Sequence, residues 1–167
     1  ATRIDIKPTC TVVVAARNEE GHINELFERI MDLDIATEII FVEGHSEDDT
    51  HLAIKQAISD HPSLNCRLLK QMGEGKGDAI RTGFEAATGD VLMILDADMT
   101  VLPEDLKRFY DAIVSRKGDF INGVRLVYPM EEKAMRFFNF AGNKFFSSAF
   151  SWLLGQSIRD TLCGTKV

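Results

Sequence analysis

Gly89-Asp90-Val91-Leu92-Met93-Ile94-Leu95-Asp96-Ala97-Asp98-Met99-Thr100 is an apolar run that stops on two carboxylates. Residues 91–95 have the length and continuity of a strand buried on both faces, and a Gly-Asp turn signal precedes them. In an open α/β sheet, ligands bind beyond the carboxyl ends of the strands, which is where Asp96 and Asp98 stand. Period-two alternation sends both side chains the same way, and hard oxygen ligands so placed suit Mg²⁺ or Mn²⁺ shared with a substrate's phosphates. Two carboxylates that close repel unless a cation or donors lie between them. A turn beginning at Asp96 and a helix cap from Asp98 account for the same residues without a ligand, since aspartate favours both positions. What decides between the two accounts is what the rest of the chain brings to that edge.

Upstream, three strand–loop–helix units follow one another. Residues 66–70 read as a weak strand leading into Gln71-Met72-Gly73-Glu74-Gly75-Lys76-Gly77-Asp78 and a helix over 79–87. The alternating glycines do not make a Walker A loop, which needs Ser or Thr where Gly77 follows Lys76. Nor do they make the dinucleotide fingerprint, whose last glycine is replaced by Asp78. What remains is a flexible loop with Lys76 and backbone donors near a helix N-terminus, able to meet a diphosphate; a glycine-rich turn with Lys76 in solvent is the plainer account. Residues 38–42 form another strand, ending in Glu43-Gly44-His45-Ser46-Glu47-Asp48-Asp49-Thr50 before a helix with Leu52, Ala53, Ala57 and Ile58 at its apolar positions. Ser46 suits an N-cap, with acids in the first turn. Capping leaves Glu43 unexplained, a carboxylate directly after an apolar strand. His45 and His51 are isolated, and no HxxxH pair is present. Residues 11–16 (TVVVAA) begin the series as a β-branched strand. Arg17-Asn18-Glu19-Glu20-Gly21 follows, then a helix with Ile23, Leu26, Phe27, Ile30 and Met31 on one face. Arg17 and Glu19 thus lie where a loop meets a ligand's base or phosphate; a solvated helix start capped by Asn18 is the alternative.

Downstream, Pro103-Glu104-Asp105 opens a helix to about Ser115, and residues 119–123 (DFING) read as a further strand ending in Gly123-Val124-Arg125. A guanidinium there can neutralise a phosphate bidentately, or simply make a surface ion pair. From 131 to 154 the composition changes: six of the eleven phenylalanines fall within 137–150, followed by Trp152, Leu153 and Leu154. Asn139, Asn143 and Lys144 break this helical segment too often for a membrane span. It reads as a core helix, or as an interfacial one with Arg136 and Lys144 toward lipid headgroups.

The 167 residues amount to a single domain over 1–167, and the close at Val167 inside what looks like a motif reads as C-terminal truncation. The net charge of −7 excludes nonspecific nucleic-acid binding, so an anionic substrate needs local cations or a metal. Cys10, Cys66 and Cys163 form no ligand cluster, and the first residues do not read as a signal peptide. The expectation is a cytoplasmic protein, peripheral at most at the cytoplasmic face of a membrane.

Taken in order, TVVVAARNEE, VEGHSEDDT, GKGDAIRTGF, GDVLMILDADMT, NGVR and RDTLCGTK resemble the family 2 glycosyltransferases, and among them the dolichol-phosphate (polyprenyl-phosphate) mannosyltransferases. The set covers nearly the whole chain, and it is specific as a set where any single motif is weak. It implies an α/β fold: the Rossmann-like GT-A nucleotide-sugar-binding fold, a mostly parallel central sheet with helices on both faces. Asn18-Glu19 matches the family's Asn-Glu, with Glu19 near the base. Glu43 to Thr50 matches its Asp-Asp-x-Ser-x-Asp-x-Thr loop. Asp96-Ala97-Asp98 matches the DxD that holds a divalent ion, Mg²⁺ or Mn²⁺, on the diphosphate. Gly123-Val124-Arg125 matches a segment near the donor and acceptor phosphates, and Asp160 to Lys166 matches Asp-x-x-Cys-Gly-Phe-Lys. Departures are Ala15 and Arg17 around Asn-Glu, Gly44 for the second aspartate, and Thr100 for a glutamine that can complete the metal site.

The implied site therefore has Asp98, Arg125 and Asp160 in the chemistry. Arg17, Glu19, Glu43, Lys76, Asp96 and Ala97 bind the nucleotide sugar, and Asp96, Asp98 and Thr100 surround the metal. The implied reaction is inverting transfer of a hexose from a GDP- or UDP-sugar to a polyprenyl phosphate, an acceptor already anionic and in little need of a general base. A saccharide hydroxyl acceptor would need one, and Asp160 is the late candidate. Two rivals remain: a nucleotidyltransferase, which should carry a Gly- and Arg-rich loop where AARNEE stands, and a non-catalytic nucleotide-sugar-binding domain of a larger protein.

Overall fold

A computed structural model describes residues 7–121 together with 148–149, 151–153 and 155. The chain divides into two compact units, with the boundary after Ile121. The first unit holds a four-stranded parallel sheet built from β1 (Cys10–Ala16), β2 (Glu38–Glu43), β3 (Cys66–Lys70) and β4 (Val91–Asp96). The helices between and after them are α1 (Ile23–Met31), α2 (Thr50–Asp60), α3 (Lys76–Ala86) and α4 (Leu106–Val114). Strand order is β3-β2-β1-β4, all neighbours parallel, so the chain grows outward from β1 to β3 and then returns to the other side of β1. The alternating pattern and the parallel, doubly covered sheet are those anticipated from the sequence.

Right-handed crossovers explain which helix lies where. α1 and α2 connect strands laid down in one direction and share a face with α4. Val12 and Val14 of β1 and Met93 and Leu95 of β4 meet Leu26, Phe27, Ile54 and Leu106 there in one apolar core. When the order reverses after β3, the crossover must pass over the other face. α3 accordingly packs through Ala79, Ile80 and Phe84 on Val13, Ile40 and Val42. Because both faces of the central strands are covered, every residue of β2 is buried, whereas β3, at the edge, is only partly so.

The helices follow their apolar stripes with instructive exceptions. Ile23, Leu26, Phe27 and Ile30 are the buried positions of α1, while Met31, one step past the stripe, is half exposed. Phe27 stacks on Phe41 with ring centroids 4.8 Å apart, a geometry worth about 0.5–1.5 kcal/mol beyond its buried area. In α2 the core positions are Thr50, Ile54 and Ala57, and Leu52 faces solvent. Ser46 does not cap that helix, which begins four residues later. α3 starts at Lys76, three residues before the expected Ala79, because the Asp78 carboxylate accepts the Gly73 N–H at 2.9 Å and folds the glycine loop back onto the helix. Asp119, Phe120 and Ile121 are not in a strand, so a strand over 119–123 does not begin where expected; the remainder lies outside the described residues.

Burial pushes the Cys10 thiol up to about 12 and the Cys66 thiol to about 11, which leaves both inert at neutral pH. Among the described residues no helix is long and apolar enough to cross a membrane. Within the Phe-rich segment 131–154, residues 148–149 and 151–153 are helical, and the rest lies outside the described residues.

Candidate active site

The strand order reverses between β1 and β4, so the loops leaving their carboxyl ends diverge and open a crevice. There the structure has a cleft of about 240 Å³. Its buried non-polar lining is made of small residues: Ala16, Gly44, Ala79 and Ala97. Polar side chains complete it: Arg17 and Glu19 after β1, Gln71 after β3, Lys76 at the start of α3, and Asp96 and Asp98 at the end of β4. Small residues beneath polar ones let the backbone come close to a flat or phosphorylated ligand while charged groups grip its polar parts.

Each side chain arrives by an identifiable local device. Leu92, Ile94 and Asp96 alternate with Met93 and Leu95, whose side chains enter the core shared with α1 and α4. Asp96 therefore turns toward the α3 face, where Lys76 emerges, and the two form an ion pair. Strand alternation ends there. The Met99 N–H donates to the Asp96 carbonyl at 3.2 Å, closing a turn that brings Asp98 back to the same cleft. Asp98 in turn accepts the Thr100 N–H at 2.9 Å. The two aspartates thus share a site as the sequence pattern anticipated, but by a β-turn with an Asx bond rather than by extended alternation.

The loops after β1 and β2 are laced together. Asn18 N–H donates to Ser46 Oγ at 3.0 Å, Glu47 N–H to Asn18 Oδ1 at 2.8 Å, and Glu19 N–H to Thr50 Oγ1 at 2.8 Å. Thr50 also holds Asp48, whose carboxyl is kept below the ordinary aspartate range chiefly by the Thr50 hydroxyl. Glu19 lines the cleft with its carboxylate 2.6 Å from His22 Nδ1. Three loops at this edge carry a non-glycine residue in left-handed conformation: Asn18 at φ 56°, His45 at φ 57° and Met99 at φ 52°. Strain of this kind persists where the surrounding bonds over-determine a loop.

Of the residues anticipated from sequence, the cleft brings together Arg17, Glu19, Lys76, Asp96, Ala97 and Asp98. Glu43 does not line it. That side chain is 2% exposed and its Oε1 accepts the Ser46 N–H at 2.5 Å, so it anchors the β2 loop from beneath. Thr100 is exposed and meets Asp98 through its backbone. Arg125 and Asp160 lie outside the described residues. Gln71 is a cleft residue not anticipated from the sequence; it is 3% exposed, with its side-chain Nε2 donating to Gly73 O at 2.8 Å. Its signal was available: a polar residue directly after an apolar strand at the ligand edge.

The donor chemistry fits a divalent cation shared with a ligand. Two carboxylates meet at one cleft, with a lysine on one of them. Among the described residues no group of three or more His, Cys, Asp or Glu side chains forms a self-sufficient metal cage. That is the arrangement for an ion held by one or two carboxylates plus a substrate's phosphates.

Fold and cleft together define an α/β domain built on a parallel sheet, with a polar cleft at the reversal of strand order. The chain belongs to the glycosyl transferase family 2, whose model matches residues 11–163. An undecaprenyl-phosphate 4-deoxy-4-formamido-L-arabinose transferase of Pectobacterium atrosepticum is 33% identical over 125 residues, 72% of this chain and 38% of that protein. A dolichol-phosphate mannosyltransferase of Pyrococcus furiosus is 31% identical over 119 residues, 70% of this chain and 33% of that protein. The chain thus spans about a third of the length of the curated relatives it matches. Among solved structures, a mannosyltransferase from Pyrobaculum calidifontis in complex with GDP-Man and Mn²⁺ superposes with TM-score 0.59 at 27% identity, covering 71% of this chain and 35% of that one. A glucosyl-3-phosphoglycerate synthase from Mycobacterium tuberculosis shares the GT-A fold at TM-score 0.69 and 18% identity, over 95% of this chain and 56% of that one.

Proposed function

We propose that this chain carries the donor-binding half of an inverting, metal-dependent transferase that moves a hexose from a nucleotide diphosphate sugar to a polyprenyl phosphate. The observation that carries the reading is the convergence of Asp96, Asp98 and Lys76 on one cleft at the β1/β4 reversal. Asp96 and Asp98 would hold Mg²⁺ or Mn²⁺. When bound, that ion supplies Lewis-acid stabilisation of the charge gathering on the departing diphosphate. Lys76 adds a compact positive charge for the same oxygens. The small residues Ala16, Gly44, Ala79 and Ala97 make room for the nucleotide, Glu19 offers acceptor oxygens to its base or ribose, and Arg17 stands at the same cleft as a further cation. Arg125 and Asp160 complete the proposal toward the acceptor. A phosphate acceptor is anionic at neutral pH, so no side chain in the cleft has to remove a proton from it. Two of the relatives above are by name sugar transferases of undecaprenyl phosphate and dolichol phosphate, which favours that acceptor class.

Peripheral membrane contact belongs to the same proposal, since such an acceptor resides in lipid. Thermal unfolding with GDP-sugars and UDP-sugars in Mn²⁺ tests the donor half, because a ligand of the native state raises the midpoint. One base class should stabilise the protein in a metal-dependent way. Asp98→Ala should abolish that shift while lowering unliganded stability by about 0.5–1.5 kcal/mol, the worth of its bond from the Thr100 N–H. Transfer of labelled hexose to polyprenyl phosphate, set against a saccharide acceptor, tests the other half. A metal-independent shift, or one that survives Asp98→Ala, overturns the reading.

A further inference from the structure

The cleft holds a contact that competes with the arrangement just proposed. Lys76 Nζ is ion-paired with Asp96, one of the two carboxylates assigned to the metal. The partners come from the first residue of α3 and the last of β4, so this is a tertiary contact and not a consequence of local sequence. The Asp96 side chain is 18% exposed, and a carboxylate with so little water is stabilised by a countercharge. A divalent ion offers the same oxygens twice the charge, and an ammonium beside it is repelled. Lys76 has the freedom to leave. Its side chain is half exposed, and around it a Cβ added at Gly75 would have no neighbour within 4 Å and one added at Gly77 would meet only the far end of Arg81, at 3.8 Å.

We propose that Lys76 is an exchangeable stand-in for the divalent ion: it neutralises Asp96 until the ion binds, then turns its charge to the ligand's diphosphate. The inference rests on the cleft being a site for metal and nucleotide diphosphate. Metal arriving alone competes with Lys76 for the charge of Asp96 and sets an ammonium beside a dication. A diphosphate arriving alone draws Lys76 away and leaves Asp96 facing phosphate. Arriving together, they give every charge a partner. Each ligand therefore raises the affinity for the other by the same factor, and Lys76 contributes to that factor.

The test is Mn²⁺ titration of the intact chain, read by the electron paramagnetic resonance of free Mn²⁺, with and without GDP or UDP. Lys76→Met should bind Mn²⁺ without nucleotide at least about fivefold tighter than the unaltered chain, the low end of ordinary coupling between sites. It should also bind metal-free GDP or UDP more weakly, and the enhancement of one ligand by the other should shrink. Lys76→Gln should behave like Lys76→Met, and Lys76→Arg, which keeps the cation, like the unaltered chain. Circular dichroism confirms that each variant is folded. Arg17→Met removes a cation from the same cleft without touching the Lys76–Asp96 pair and should give a smaller gain. If Lys76→Met and Lys76→Gln bind Mn²⁺ no tighter, or Arg17→Met gains as much, the exchange is overturned while the site itself stands. If no Mn²⁺ binds even with nucleotide, the exchange and the function proposed above fall together.

Discussion

Glu38 and Glu43 begin and end the same strand, both almost wholly buried, and neither faces the cleft. Glu38 sits at the opposite edge of the sheet. It accepts from Thr11 Oγ1 at 2.7 Å, Thr88 N–H at 3.0 Å and Arg67 Nη2 at 2.7 Å, tying three strands and the end of the last crossover. Burial by itself would raise this carboxyl, but the bonds from Thr11, Thr88 and Arg67 outweigh it and hold Glu38 below the ordinary value of 4.5. A group with a depressed folded pKa contributes stability that is present above its unfolded value and is lost as pH falls through the folded one. Glu38→Gln should therefore lower stability near neutrality by about 1.5–3 kcal/mol, the range for hydrogen bonds to a charged group. The gap between it and the unaltered protein should close as the pH drops below 4.5, which urea unfolding along a pH series measures. Glu43 shows why the sequence could not assign roles to such residues. A carboxylate after an apolar strand looks the same whether it turns to a ligand or to a backbone N–H three residues on, and only the fold of the next loop decides. Asp96 and Asp98 could be placed at one cleft from the sequence because both follow directly on an apolar strand within one turn, although the turn and the Asx bond that bring them there serve structure as well.

At the scale of elements, the strands and the amphipathic stripe of α1 were readable from periodicity, whereas the α3 start was hidden by its glycines. Gly77 falls in the first turn of that helix, where propensity argues against it. The bond from Gly73 to Asp78 and the packing of Ala79 on the sheet override that preference. Further along the same helix, Gly83 is fixed by contact: an added Cβ would lie 2.3 Å from Val13 Cγ1. Gly83→Ala should push α3 off β1 and destabilise the protein by about 1–3 kcal/mol, the usual range for overpacking. Combining it with Val13→Ala should recover part of that loss, because the clash disappears while a cavity term remains. Denaturant midpoints of the four forms check this. Since Lys76 rides on the same helix, the single variant should also weaken nucleotide binding, and the pair should restore some of it.

For the whole molecule, strand alternation announced an α/β sheet, but no local pattern specifies the order of its strands, and the order is what makes the crevice. Four loops distant in sequence meet there only because β4 returns to the far side of β1. Arg125 and Asp160, read from motif resemblance, lie outside the described residues and stay with the proposed acceptor side. The chain's net charge of −7 opposes approach to anionic lipid, so membrane contact has to come from apolar side chains or local cations. Trp152 and Leu153, 86% and 68% exposed on a helical stretch of the second unit, are such side chains. Trp152 is the sole tryptophan, so its fluorescence reports on this directly. Vesicles containing polyprenyl phosphate should shift its emission to the blue, and Leu153→Glu should remove the shift; an unchanged spectrum with sedimentation of neither form would count against lipid contact. The pairing of the first strand with the fourth also has a consequence during synthesis. A ribosome-bound polypeptide that has extruded only β1 to β3 has none of the acidic turn. The crevice between β1 and β4 is complete only once β4 has slotted against β1, so unfinished chains lack it.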